Sequence, residues 1–258
     1  MIFINEQKIT PEYFPDGTLR LHIAPAGKEA GIRWLFENNE ELVVLYFAVK
    51  HLRDYGTERL TLHMPYIPNA RMDRVKNEEE VFTLKHFADF LNSLQFDSVT
   101  VRDPHSPVSL QLIQRLVCED IRPVITKLCN RLLTEKDVVF FPDAGSCKRY
   151  QGYLNHPFIY GVKERDWKSG KILGLRVEGN IPPLPFNVLI IDDISSYGGT
   201  FYHSAKKLKE LGADKIWLYV THCENSILNG ELIKSGLVEK IYTTRSVFTK
   251  EHPLIEMI

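Results

Sequence analysis

Asp192 and Asp193 stand side by side between an apolar run, residues 188–191, and a small-residue stretch, Ser195-Ser196-Tyr197-Gly198-Gly199-Thr200. Adjacent carboxylates repel, and a chain gains nothing from the pairing unless cations or hydroxyl groups satisfy them. The stretch after them suits a strand-to-helix turn, because Thr200 opens a segment in which Phe201, Ala205, Leu208 and Leu211 recur at helical spacing. Backbone N–H groups at such a turn, backed by the helix dipole, bind phosphate. The carboxylates are free to accept ribose hydroxyls or to hold a hydrated metal. An ordinary strand-to-helix turn would leave the acidic pair unexplained, so the stretch reads as a sugar-phosphate site.

Other reactive side chains follow predicted strands. Asp103 and His105 come after residues 98–101, and Asp143 comes after residues 137–141. A His with a carboxylate can ligate a divalent cation that bridges phosphate oxygens, although Mg²⁺ prefers oxygen donors. A single His at a strand end is otherwise a hydrogen-bonded surface residue. Lys163 and Arg165 are two positions apart, so on an extended backbone they point the same way and reach one polyphosphate. Cations so placed stabilise charge on a transferring phosphoryl group; a solvated basic turn has the same composition. Arg71, Asp73 and Arg74 form either a bidentate phosphate clamp or a surface ion-pair cluster. Phe14, just before Asp16-Gly17, is a stacking face for a base or a buried aromatic beside a turn.

The elements that must position these groups alternate. Strands are predicted over residues 2–4, 19–23, 60–66, 98–101, 137–141, 158–162, 188–191, 216–220 and 240–243. Helices are predicted over residues 41–53, from Thr83, which is placed to cap the helix, from Thr200, and around residues 229–234. Strands alternating with helices imply an α/β fold with mainly parallel sheets, in two halves, residues 1–124 and 125–258. Residues 24–38 fit no element, and residues 170–185, rich in Gly and Pro, read as a mobile connection.

Composition narrows the function classes. A net charge of −1 and a pI near 6.8 in 258 residues exclude the basic footprint of a nucleic-acid binder. No apolar run approaches the roughly 20 residues of a membrane span, and the first residues lack the features of a signal peptide. Cys118, Cys129, Cys147 and Cys223 show no C-x-x-C spacing and read as reduced thiols of a cytoplasmic protein.

Residues 187–200 resemble the ribose-5-phosphate loop shared by type I phosphoribosyltransferases and ribose-phosphate pyrophosphokinases (PRPP synthetases). The rest of the chain resembles the second family in order. Phe14-Pro15-Asp16-Gly17 is similar to its F-x-D-G-E segment, which reaches ATP across a subunit contact. The segment from Pro65-Tyr66 through Ala70-Arg71-Met72-Asp73-Arg74 is similar to its P-Y-x-x-A-R-Q-D-R at the ATP site. Asp103-Pro104-His105 resembles its D-L-H, whose His is a metal ligand. Pro142-Asp143-Ala144-Gly145 with Lys148-Arg149 matches P-D-x-G-x-x-x-R, Lys163-Glu164-Arg165 resembles the K-R-R of the catalytic flexible loop, and Thr221-His222 fits a T-H after a strand.

The departures bear on substrate. Thr18, Met72, Val108 and Ser109 replace family residues, and Ser195-Ser196-Tyr197-Gly198-Gly199 stands where the family carries Asp-Thr-Ala-Gly. The match begins almost at Met1 and stops soon after His252-Pro253, so the family's opening strand–helix unit and closing helix are expected to be missing.

The resemblance implies Mg²⁺-dependent transfer of the β,γ-diphosphate of ATP to the C1 hydroxyl of ribose 5-phosphate, giving PRPP and AMP. It assigns Asp192, Asp193 and residues 195–200 to the sugar phosphate. Phe14, Asp16, Arg71, Asp73, Arg74 and His105 go to ATP, with His105 and Asp143 also on the metal. Lys163 and Arg165, with the two Asp residues, are assigned to catalysis. It also implies a homo-oligomer. The Tyr197 loop and the missing ends keep ADP-ribose open as a larger acceptor, feeding NAD salvage. A phosphoribosyltransferase, or a non-catalytic sensor of PRPP or nucleotides, is the reading from another class.

Overall fold

The computed structural model describes the backbone of residues 1–165 and 172–258, and side chains over residues 1–162 and 174–258. The chain divides into two compact units, Met1–Asp120 and Ile121–Ile258.

The first unit contains β1 (Ile2–Ile4), β2 (Gln7–Ile9), the short pair β3 (Glu12–Tyr13) and β4 (Leu19–Arg20), and β5 (Glu29–Trp34). These are followed by α1 (Glu41–Asp54), β6 (Arg59–His63), α2 (Thr83–Ser93), β7 (Ser98–Arg102), α3 (Pro107–Leu112) and β8 (Leu116–Glu119). Its main sheet runs β2-β1-β5-β6-β7-β8, with β5 to β8 parallel and β1 and β2 antiparallel. Alternate residues of the central strands, such as Ala30, Ile32 and Trp34, face a core shared with Val44, Leu45 and Leu52 of α1 and Leu84 and Phe87 of α2.

The second unit contains α4 (Arg122–Leu132), β9 (Val138–Phe141), α5 (Ala144–Tyr150), β10 (Phe158–Arg165), β11 (Ile172–Glu178) and β12 (Phe186–Ser195). Then come α6 (Gly199–Glu210), β13 (Ala213–Cys223), α7 (Glu231–Ser235), β14 (Lys240–Thr243) and β15 (Ile255–Met257). The sheet order is β11-β10-β9-β12-β13-β14-β15, parallel except for β11. Val188 to Ile191 in β12 are buried on both faces, as their continuous apolar run requires.

Several expectations need correction. Residues 24–38, left without an element, contain β5, whose period of two is disguised by Gly31 and flanking charges. Residues 170–185, expected to be a connection, include β11, which pairs antiparallel with β10. The strand expected over residues 19–23 stops at Arg20. β12 does not end before Asp192 but continues to Ser195, pairing with β13 up to Cys223. Thr83 is the first residue of α2, not its cap, and α7 begins at Glu231. A boundary at residues 124/125 would cut α4. Among the described residues no helix is long and apolar enough to cross a membrane.

Candidate active site

The strand order of the second sheet determines where a ligand sits. β9 leads through α5 to β10 on one side, while its neighbour β12 leads through α6 to β13 on the other. The two helices pack on opposite faces. Cys147 and Tyr150 of α5 share a core with Leu189 and Ile191, and Phe201, Ala205 and Leu208 of α6 share one with Val188 and Ile190. Open α/β sheets bind ligands at such a switch point, beyond the carboxyl ends of the strands. The β9–α5 turn, with Asp143, and the β12–α6 turn, which follows Asp192 and Asp193 near the end of β12, both lie there.

Because β12 continues as a strand, its two carboxylates go to opposite faces. Asp193 is buried on the α5 side, where Arg149 of α5 donates to its Oδ2 at 3.1 Å. Asp192 lies on the α6 side, half-buried, its Oδ1 accepting from the Asp193 N–H at 3.0 Å. Burial, then the neighbouring carboxylates Asp193 and Asp143, push the Asp192 carboxyl well above the usual carboxylate range. Asp193 therefore has an internal cation, whereas no ion pair to Asp192 occurs among the described residues. Arg149, the last residue of the Pro142–Arg149 motif, was not among the expected site residues; the motif was the available signal.

The turn after β12 places Gly198 in the left-handed region, at φ 77° and ψ 13°, as the N-cap of α6. That conformation favours glycine, and the Gly198 carbonyl accepts the first helical bond from Tyr202 N–H at 2.9 Å. The first amides of α6, from Gly199 and Thr200 onward, have no acceptor within the helix. Ser195 is buried and Ser196 half-buried, whereas Tyr197, Gly199 and Thr200 are exposed, with Tyr197 at 63 %. Asp143 caps α5 in a capping box: its Oδ1 accepts from the N–H groups of Gly145 at 2.9 Å and Ser146 at 3.0 Å. Thr221 and His222 are buried in β13, with His222 Nδ1 at 2.9 Å from Ser246 Oγ.

Lys163 and Arg165 lie in the β10 arm of the β10–β11 hairpin, where the register shifts between Glu164 and Arg165. Their side chains, and residues 166–171 altogether, lie outside the described residues.

In the first unit, Phe14 is 50 % exposed at the tip of the β3–β4 hairpin. Asp16 braces that tip by accepting from Thr18 N–H at 2.9 Å and Thr18 Oγ1 at 2.7 Å, which holds its carboxyl below the usual range. Thr18, which departs from the family pattern, thus closes the turn. Arg71, Asp73 and Arg74 lie in the loop after β6, anchored by buried Met64, Ile67 and Ala70. Arg74 Nε is 3.8 Å from Asp73 Oδ1 and its side chain is 84 % exposed, so part of this group is a surface ion pair. Asp103 follows β7 at φ 40° and is buried, and His105 precedes Ser106, the cap of α3. His105 and Asp143, the expected metal pair, belong to different units. Among the described residues no group of three or more His, Cys, Asp or Glu side chains forms a metal cage.

No protein-family model matches the chain. A doubly wound sheet with a glycine-opened strand-to-helix turn at its switch point places the protein in the phosphoribosyltransferase-type α/β class. In fold it is similar to a phosphoribosylpyrophosphate synthetase from Mycobacterium smegmatis, with TM-score 0.79, 18 % identity, and 97 % of this chain and 85 % of that one covered. In sequence it is 31 % identical over 240 residues to ribose-phosphate pyrophosphokinase 2 of Archaeoglobus fulgidus, covering 89 % of this chain and 81 % of that protein. It is 30 % identical over 219 residues to the ribose-phosphate pyrophosphokinase of Pyrococcus abyssi, covering 81 % and 74 %. The chain belongs to the ribose-phosphate pyrophosphokinase family, and it is a ribose-phosphate diphosphokinase-like enzyme.

Proposed function

We propose that the protein makes PRPP by moving the β,γ-diphosphate of ATP to the C1 hydroxyl of ribose 5-phosphate. The observation that carries this reading is the juxtaposition of Asp192, a carboxyl whose proton affinity is raised by burial and by neighbouring carboxylates, with the glycine-opened N-terminus of α6 at one switch point, in a member of this family. Residues 195–200 hold the 5-phosphate through amides and hydroxyls, and Asp192 accepts the ribose hydroxyls. Asp193 acts through Arg149 to fix the end of β12. Phe14, Asp16, Arg71, Asp73, Arg74 and His105 seat ATP.

The C1 oxygen attacks the β-phosphorus in line, a C1–O–P bond forms, and the bond from the β-phosphorus to the α,β-bridging oxygen breaks. AMP leaves with that electron pair, and the C1 hydroxyl proton goes to solvent. Lys163 and Arg165 counter the charge on the transferring group. Positioning and charge stabilisation suffice for this chemistry. Asp143 and Asp192 suit Mg²⁺, being hard oxygen donors whose mutual repulsion already raises the proton affinity of Asp192. His105 is the softer candidate ligand. Bound Mg²⁺ would neutralise polyphosphate charge. The setting is cytoplasmic, and the working form a homo-oligomer.

Mass spectrometry of purified protein with MgATP and either ribose 5-phosphate or ADP-ribose tests the reading. AMP with PRPP from the first mixture is the expected result. AMP only with ADP-ribose would move the acceptor to the larger sugar. AMP from neither would leave a non-catalytic relative. Lys163→Ala should abolish diphosphate transfer while sugar-phosphate binding survives, an outcome a phosphoribosyltransferase would not give.

A further inference from the structure

Beneath the turn after β12 lies the segment that follows β13. The Glu224 N–H donates to the Ser195 carbonyl at 2.8 Å, closing the end of the β12–β13 ladder. A short 3-10 stretch, Asn225–Asn229, then leads through Gly230 into α7. Gly230 has φ −85° and ψ 161°, a backbone conformation open to any residue. Its need for hydrogen as a side chain comes from elsewhere. A β-carbon there would lie 1.8 Å from the Tyr197 carbonyl oxygen and 2.8 Å from its carbonyl carbon. Gly198, one residue on, is backed by Leu232 and Ile227, both fully buried.

The Tyr197–Gly198 peptide is trans, so its N–H points opposite to its carbonyl. With the carbonyl seated on Gly230, the Gly198 N–H faces away from the platform, and no group among the described residues accepts from it. We infer that Gly230 is a positioning residue for sugar-phosphate binding: the missing side chain lets the Tyr197 carbonyl sink, and this aims the Gly198 amide at the 5-phosphate. The inference deepens, and rests on, the assignment of residues 195–200 to that phosphate.

Gly230→Ala in the full chain is the test, read as KM for each substrate and as amide NMR shifts during titration with ribose 5-phosphate and with inorganic phosphate. Loss of one oriented donor to a charged group should raise KM for ribose 5-phosphate about tenfold or more. The KM for ATP should stay within about twofold, a split that general loosening of the fold would not produce. In the unmodified protein the Gly198 amide should shift strongly with either probe. If Gly230→Ala does not fold, this shift decides alone. Catalysis with an unmoved Gly198 amide, or a variant with unchanged KM, overturns the inference and leaves the assigned reaction intact. No shift at any amide of residues 195–200 with either probe overturns the phosphate assignment as well.

Discussion

At the carboxyl ends of β9 and β12, several candidate groups are held by what packs against them. Asp193 is held by Arg149, Gly198 lies on Ile227 and Leu232, and Asp143 is tied to the amides it caps. After β6, Arg71 and Arg74 stand exposed on a loop whose buried Met64, Ile67 and Ala70 anchor it. The Phe14 turn is held by its own Asp16–Thr18 bonds. Topology explains the contrast. At the β9/β12 switch point the following helices diverge to opposite faces, leaving a crevice walled on both sides, whereas β5 to β8 follow one another in order. On the assignment proposed above, the β9/β12 end is preorganised for the sugar phosphate, and the ordering cost at the Phe14 and Arg71 segments falls on ATP binding.

Replacing Asp192 is the severest test of that contrast. Asp192→Asn should lower diphosphate transfer about a hundredfold or more, because hydrogen bonds to a charged acceptor are lost at the sugar. The same change should stabilise the protein. The carboxyl is raised above its unfolded value, so its contribution to stability is fully present below about pH 3.8 and is lost as pH rises through the folded value. Melting curves with chelator should coincide for the two proteins in acid and separate towards neutral pH, the variant melting higher. A variant that melts lower at neutral pH would mean that the Asp192 charge is already compensated.

Asp193→Ala should do the reverse. It removes the buried carboxylate that accepts from Arg149, and breaking such a pair costs about 3 kcal/mol. Transfer activity should fall less than for Asp192→Asn, and pairing Asp193→Leu with Arg149→Met should recover much of the stability. A double-mutant cycle in urea measures the coupling. Coupling near zero would remove the distinction between the two neighbouring carboxylates.

What was legible in the sequence follows the same division. The apolar run of β12 and the helical spacing of α6 announce themselves because both are buried on regular periods. The Pro142–Arg149 motif gave Asp143 and contained Arg149, but no local pattern pairs Arg149 with Asp193. Their contact depends on α5 packing over β12, 44 positions apart in sequence. β5 stayed hidden because Ala30 and Gly31 are poor strand formers and its charged residues mask the alternation that places Ile32 and Trp34 in the core. Gly230 was invisible for a different reason. Its backbone angles are ordinary, and the demand for glycine comes from a carbonyl 33 positions away, 230 minus 197.

The smallest effect is expected at Arg74. Its side chain is 84 % exposed and its contact with Asp73 is 3.8 Å, so the pair contributes at most about 0.5 kcal/mol to stability. Arg74→Ala should leave the melting temperature within about 2 °C of the parent. If the arginine engages ATP phosphates, KM for ATP should rise several-fold, while KM for ribose 5-phosphate should not move. The two readouts separate the alternatives for this loop. A silent melting curve with a raised KM for ATP makes it a nucleotide contact ordered by its ligand. Silence in both makes the Asp73–Arg74 pair ordinary surface. A drop of more than about 4 °C would show this loop to be as firmly built as the end of β12, and the contrast between the two ends would not survive it.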